Sequence, residues 1–349
     1  MRAAVVGLGW VAREVWVPRL LRHDAFELVA VVEPDAGARE RAGALPDGVR
    51  VHHGHEELDA AGTDVVFVLT PNHLHGAVAG SLLRRGVDVF LEKPTATEDS
   101  HLALLRDAAG AGGGRLVLST AARHRGDVGE LARLVDGGFL GTPRLAELSW
   151  VRSRGVPGSG WFRQRRTAGG GVLVDLGWHL VDVLHHLWGP SAVRDATAVA
   201  SSDFLGRAGS GAAWHRPGAA EPAGGDVEDQ LTALVAAEDY AVQLRLAWAS
   251  HAPVDTTRLV LHGTEGTAEL TTTFGFSTCR VERPTLTLAR RDGVTDVPLP
   301  GTGVGDEYDR QLDALPEAFA RTDATAVALR EATDALAVVD ACYRAAGLR

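Results

Sequence analysis

Over the first 120 residues, short apolar runs alternate with helix-like stretches. Residues 3–6, 28–32, 65–69, 87–91 and 116–119 are rich in Val, Leu and Ala and bounded by polar or turn residues. Runs this short and this continuously apolar predict strands buried on both faces, which is the habit of a parallel sheet. Helical patterns between them, such as 76–85 after the Pro71-Asn72 turn, complete βαβ units. The glycine-rich stretch 109–114 reads as a connection into the fifth strand. Beyond residue 120 the pattern changes. A helix is predicted over 128–135, ending at Gly137-Gly138, then a strand over 144–151. An arginine-rich loop and a glycine triplet at 169–171 precede a helix over 173–187. Residues 192–200, 230–236, 241–249 and 258–262 suit strands of an antiparallel sheet, with Gly263-Thr264-Glu265-Gly266 as a hairpin into 267–272. An alanine- and leucine-rich helix covers 325–346. Residues 203–226, rich in Gly, Ala and Pro, lack periodicity and predict a long loop, either a disordered insertion or a lid or oligomer contact anchored by Trp214.

The predicted fold class is α/β: an N-terminal Rossmann domain with a parallel sheet over 1–122, and a C-terminal α/β domain with an open, mainly antiparallel sheet over 123–349. The last helix is free to pack back on the first domain. A chain of 349 residues exceeds one usual core, which agrees with two domains. Hydrophobic residues at 45% and charged residues at 23% exclude general disorder. A net charge of −10 gives no reason to expect nucleic acid or an anionic membrane as partner. Cys279 and Cys342 have neither metal nor redox spacing and read as reduced thiols of a cytoplasmic protein. No apolar run reaches the length of a membrane helix. Residues 3–12 read as a first strand and turn rather than a signal peptide, because Arg13-Glu14 and the glycine spacing follow.

Candidate chemistry begins at that turn. Gly7-x-Gly9-x-x-Ala12 is the alanine-ended dinucleotide fingerprint. Its first glycine permits a tight turn and its second admits a pyrophosphate to backbone N–H groups. The small third residue packs helix on strand, and the helix N-terminus favours the phosphate charge. Trp10 and Val11 complete the loop. Glu33 ends the next strand, where a carboxylate accepts from the adenosine ribose and repels a 2′-phosphate. The predicted cofactor is therefore NAD. Thr70-Pro71-Asn72-His73-Leu74-His75 follows the third main strand at the sheet's carboxyl edge. Thr70, Pro71 and Asn72 are placed at the nicotinamide ribose and His75 near the ring, with a capping role open for His75. Glu92-Lys93-Pro94 follows the fourth main strand, and Asp175-Leu176-Gly177-Trp178-His179 lies on the 173–187 helix. Asp175 and His179, four apart, share a helical face. An amine, a carboxylate and an imidazole suit moving a proton beside a hydride.

Taken in order, these four motifs resemble the glucose–fructose oxidoreductase and inositol dehydrogenase family (Gfo/Idh/MocA). The resemblance covers most of the chain and is strongest over 1–190. It implies that Lys93, Asp175 and His179 are catalytic, that Glu92 and Lys93 border the cofactor, and that the open sheet carries a homo-oligomer. It also implies a substrate role for Arg123, although Ala121-Ala122-Arg123-His124-Arg125 departs from the family's aromatic and asparagine setting. Arg163, with Arg152, Arg154, Arg165 and Arg166, flanks Trp161-Phe162 and suits either a phosphate or carboxylate grip or a solvated loop. Trp161 and Trp178 suit either sugar-ring faces or core packing. His52-His53-Gly54-His55-Glu56-Glu57 lacks a second ligand cluster, so no metal is predicted.

The function expected is an NAD-dependent dehydrogenase or ketoreductase. It would act reversibly on a secondary hydroxyl of a small-molecule polyol, sugar, cyclitol or aminoglycoside-type glycoside, with Lys93 and His179 handling the proton. The alternatives are a reductase of a nucleotide-linked keto sugar in antibiotic sugar biosynthesis, and a non-catalytic dinucleotide-binding regulator.

Overall fold

The continuously apolar runs form the interior of a parallel sheet in a computed structural model of the chain, which describes residues 1–42, 45–212, 214, 224–301 and 303–349. The chain divides into two units, residues 1–119 with 308–333, and residues 120–307 with 334–349.

In the first unit, β1 (Arg2–Val6), β2 (Glu27–Val32), β3 (Arg50–His52), β4 (Val65–Val68), β5 (Asp88–Leu91) and β6 (Leu116–Leu118) pair in parallel in the order β3-β2-β1-β4-β5-β6. The strand order reverses between β1 and β4. In such sheets the crevice beyond the carboxyl ends at that reversal is where ligands bind. Gly7 ends β1 and Thr70 follows β4, so both stand at this edge. Residues of β4 and β5 are buried throughout, which explains their unbroken apolar sequence. β3 was not expected: it is a three-residue edge strand, too short and too polar to carry a hydrophobic pattern. The helix Asp99–Gly112 takes in residues that the sequence assigns to a glycine-rich connection, so that segment is helical almost to its end.

Trp16, Phe67 and Phe90 form the centre of this unit, with Trp16 edge-on to Phe90 at 4.9 Å between ring centroids. The indole meets a buried charge there. Glu92, directly after β5 and 6% exposed, accepts the Trp16 Nε1–H at 2.8 Å and the Ser119 hydroxyl at 2.9 Å on Oε1. Its Oε2 accepts the Lys93 backbone N–H at 2.9 Å. Three donors compensate a carboxylate that burial alone would penalise by several kcal/mol.

In the second unit, β7 (Pro143–Val151), β8 (Val193–Ser201), β9 (Gln230–Ala237), β10 (Ala241–Ala247), β11 (Thr256–Gly263), β12 (Thr267–Thr272), β13 (Thr285–Arg290) and β14 (Gly293–Val297) form one sheet in the order β14-β13-β12-β11-β7-β10-β9-β8. The pairs are antiparallel except β7 with β10. The mainly antiparallel sheet is thus as the alternating pattern predicts, and β9 alternates buried and exposed positions along most of its length. β13 and β14 were not expected, since β14 is nearly all exposed and shows no apolar alternation. The helix Asp306–Ala320 was also missed; it is polar in sequence and carries Pro316 inside. The long loop expected at 203–226 falls partly on residues 213 and 215–223, which lie outside the described residues. Residues 203–212 form turns with a single bridge from Gly211 to Val156. Among the described residues no helix is long and apolar enough to cross a membrane.

Trp16→Phe keeps the aromatic packing and removes one donor from the buried Glu92 carboxylate. Urea unfolding should show a loss of about 1–3 kcal/mol; an unchanged midpoint would mean that the indole N–H contributes nothing.

Candidate functional site

The turn after β1 is built to leave backbone exposed. Gly7 has φ +94°, and a Cβ there would lie 2.8 Å from the Leu69 carbonyl oxygen, so only glycine fits. At Gly9 a Cβ would meet nothing within 4 Å, which leaves the cradle open for a pyrophosphate to approach. Ala12 is buried where the following helix meets the strand. That helix opens on a widened turn, the Val17 N–H reaching back five residues to the Ala12 carbonyl. Glu33 is tied to the turn it faces: Oε2 accepts the Leu8 N–H at 2.8 Å and Oε1 the Asp35 N–H at 3.0 Å. Each oxygen keeps a second lone pair for a ribose hydroxyl. The Thr70 hydroxyl is buried without a protein partner among the described residues, a polar group left for a ligand to satisfy. These residues fit a dinucleotide. A cavity of about 390 Å³ beside the turn, bordered by Leu8, Arg39, Pro46, Val49 and Val51, was invisible to the sequence reading, because its walls come from separate segments without a motif.

Asn72 and His75 are buried beside this edge. The His75 ring does not project toward a ligand. Nδ1 lies 2.8 Å from the Pro94 carbonyl oxygen and Nε2 lies 2.9 Å from that of Thr70, with the side chain 1% exposed. Burial pushes its pKa down to about 4, against the two carbonyls. Glu92, expected at the cofactor, has its carboxylate turned inward onto Trp16 and Ser119. It holds the Lys93 backbone through its N–H. Lys93 is partly exposed, and its peptide bond to Pro94 is cis.

In the second unit the Asp175 motif does not sit on a regular helix. The Trp178 N–H bonds the Leu173 carbonyl five residues back, so Leu173–Gly177 is a π turn leading into Trp178–Trp188. Such turns add one residue to the helical circuit and occur often at functional sites. The simple i,i+4 face expected for Asp175 and His179 is modified accordingly. Asp175 is 9% exposed, and its Oδ2 accepts the Trp248 Nε1–H at 2.9 Å. His179 is partly exposed and its ring lies 5.8 Å from that of Trp150. The Trp150 Nε1–H is buried without a partner among the described residues. Trp248 and Trp150 were both missed: each reaches the motif from a different strand region, through contacts that no local spacing encodes. At Gly177 a Cβ would lie 2.7 Å from Leu173 Cδ1 and 2.9 Å from Leu246 Cδ1, so the glycine lets this turn pack closely on its own sheet. The start of the turn is fixed by Glu228, 2% exposed, whose Oε1 accepts the N–H of Gly171 at 3.0 Å, the N–H of Leu173 at 3.1 Å and the Tyr343 hydroxyl at 2.8 Å. Burial pushes the Glu228 pKa up, and these donors oppose the shift.

Several residues expected at the substrate are committed elsewhere. Arg123 forks onto Asp182, with Nε 2.8 Å from Oδ2 and Nη2 on Oδ1. Arg163 is 6% exposed and donates to the Gly224 carbonyl oxygen at 3.1 Å; burial lowers its pKa. A guanidinium enclosed in this way cannot grip a phosphate in solvent. Arg165 lies over the Tyr343 ring, 5.6 Å from its centroid. Trp178 is 4% exposed and belongs to the core. Trp161 is partly exposed and lies tilted against Phe162, which meets Trp248 edge-on. Among the described residues no cluster of His, Cys, Asp and Glu suits a metal.

His75 and His185 both have pKa values lowered from 6.5 to about 4 by burial. The unfolded chain therefore takes up protons near pH 6.5 that the folded chain refuses. Their contribution is complete above that pH and is lost as pH falls toward 4, by about 3 kcal/mol for the buried His75. Urea melts across this range should show the decline, and His185→Phe should make it shallower; an equally steep fall in the variant would contradict the assignment.

Comparison with known proteins places these sites in context. Residues 1–116 match the oxidoreductase family with an NAD-binding Rossmann fold, and residues 128–269 match the GFO/IDH/MocA C-terminal domain. The chain is 42% identical over 99% of its length, and 96% of the relative's, to a protein of Amycolatopsis mediterranei provisionally assigned as a UDP-kanosamine synthase oxidoreductase subunit. It is 30% identical to D-glucoside 3-dehydrogenase of Escherichia coli over 57% of each chain. The fold is that of the aldose-aldose oxidoreductase of Caulobacter crescentus, with a TM-score of 0.77, 22% identity and coverage of 99% and 97% of the two chains. With family matches in both units and a relative of near-equal length, the chain belongs to the Gfo/Idh/MocA family of NAD(P)-dependent oxidoreductases.

Proposed function

We propose that this protein is an NAD-dependent dehydrogenase that oxidises a secondary hydroxyl on the sugar of a nucleotide-linked hexose. The observation that carries the reaction is the presence in one chain of an open glycine cradle at Gly9, a Glu33 carboxylate tied to the backbone of the same turn, and the trio Lys93, Asp175 and His179. A non-catalytic dinucleotide-binding regulator has no need of that trio. The substrate class rests on the relative whose name joins an oxidoreductase to formation of UDP-kanosamine. An amine is installed on a sugar carbon by way of a ketone, so the oxidoreductase partner of such a synthase supplies the ketone. This favours oxidation as the direction and a nucleotide sugar over the free polyol or aminoglycoside-type substrate. A glycoside remains the second reading, supported by the similarity to D-glucoside 3-dehydrogenase.

Gly7, Gly9, Trp10, Val11 and Ala12 hold the pyrophosphate, Glu33 the adenosine ribose, and Thr70, Pro71 and Asn72 the nicotinamide end. When bound, the nicotinamide supplies the acceptor for the hydride leaving the carbinol carbon. Lys93 donates from its ammonium to the substrate oxygen, and His179 takes the hydroxyl proton. Asp175, held by the Trp248 indole N–H, orients the imidazole or the substrate. Glu33 selects NAD by repelling a 2′-phosphate. Copies of the chain associate through the open face of the second sheet, where Val199 is 72% and Leu234 54% exposed on adjacent strands.

Lys93→Ala and His179→Ala should each lower turnover by roughly 10²–10⁴ while NADH binding, read by fluorescence, persists. Near-normal turnover in both would refute the roles. A panel of UDP-hexoses, free sugars, cyclitols and aminoglycosides, followed by NADH absorbance, should show turnover with a UDP-hexose; activity confined to free glycosides would move the assignment to the second reading.

A further inference from the structure

The His75 ring touches two turns at once, and those turns carry the residues assigned to the cofactor and to the proton. Thr70 follows β4 and Pro94 follows β5, which are neighbours in the sheet. His75 opens the helix His75–Arg84 behind them, fully inside the unit. A core histidine that merely fills space needs one hydrogen bond and leaves its second nitrogen against apolar atoms or water. Here both nitrogens lie against carbonyl oxygens, at 2.8 and 2.9 Å. The Lys93 backbone N–H is held by the Glu92 carboxylate, and the next carbonyl lies within hydrogen-bond reach of the His75 ring.

We propose that His75 is a positioning residue that couples the Thr70 turn to the Lys93 turn through one ring proton, which holds one carbonyl or the other. A neutral imidazole carries one N–H, so at any moment it hydrogen-bonds one carbonyl, while the lone pair of its other nitrogen faces the second carbonyl oxygen unfavourably. Burial keeps the ring neutral over the working range. The tautomer then decides which turn is held, and a shift of one turn on binding moves the proton and is felt by the other. This reading rests on the assignment of Lys93 to proton handling.

Two substitutions separate the two halves of the bridge. His75→Asn keeps a donor near the Nδ1 position and hence toward Pro94; His75→Gln keeps one near Nε2 and hence toward Thr70. The Asn variant should weaken NADH binding about tenfold with a smaller fall in kcat. The Gln variant should lower kcat about tenfold with a smaller change in NADH Kd. His75→Phe, which fills the space without a ring N–H, should show both losses. Equal proportional changes in the Asn and Gln variants, or a Phe variant with wild-type kinetics, would overturn the coupling. Should the variants fail to fold, nitrogen NMR of the wild-type protein with labelled histidine reads the ring directly. A neutral tautomer whose nitrogen shifts change on adding NADH supports the proposal; a ring unaffected by NADH overturns it. A fully active Lys93→Ala would sink the assignment of Lys93 itself, whereas an unchanged His75→Gln beside an inactive Lys93→Ala would sink the coupling alone.

Discussion

The first unit is organised around a carboxylate in its interior. Glu92 is a charge that should not be buried, and it is tolerated because Trp16, Ser119 and the Lys93 backbone each donate to it. These donors come from the first helix, the residue after β6 and the turn after β5. One buried charge therefore fixes three separately encoded segments, and the residue beside it is the lysine assigned to chemistry. A neutral or apolar side chain would fill the space without specifying the positions of its neighbours. In a chain whose strands are otherwise interchangeable runs of Val and Leu, a buried polar group with fixed directional partners is a source of uniqueness.

The second unit meets a different constraint. Asp175 and His179 have to leave a helix at chosen angles while their backbone stays packed against a sheet. The π turn over Leu173–Gly177 provides an extra residue of rotation, and Gly177 gives the clearance that lets Leu173 and Leu246 close on it. Trp248 then fixes the carboxylate from the side. Each device is local and inexpensive alone, and together they hold a polar pair within an apolar layer.

The fold class was legible because its signals are repetitive: buried parallel strands read as short apolar runs, and β9 reads as alternation. Elements whose stability comes from their neighbours were not. Arg50–His52 and Gly293–Val297 are short or exposed edge strands, and Asp306–Ala320 is a polar helix interrupted by proline. At the site, the motif residues stood out in the sequence while their partners did not. Nothing near Glu92 indicates Trp16, and nothing near Asp175 indicates Trp248. Arg123 and Arg163 show the opposite failure. An arginine is the same letter whether it faces a substrate or pairs with Asp182 or the Gly224 carbonyl, and only three-dimensional structure separates the two.

The Glu228 cap has an implication for how the protein is made. Its carboxylate organises the turn that carries Asp175, yet one of its donors, Tyr343, comes from a helix far downstream. Synthesis proceeds from the N-terminus, so Asp175 and His179 emerge well before the residue that completes their support. The first unit waits as well, because residues 308–333 complete it. In the order of translation, both units are completed only by residues near the end of this sequence.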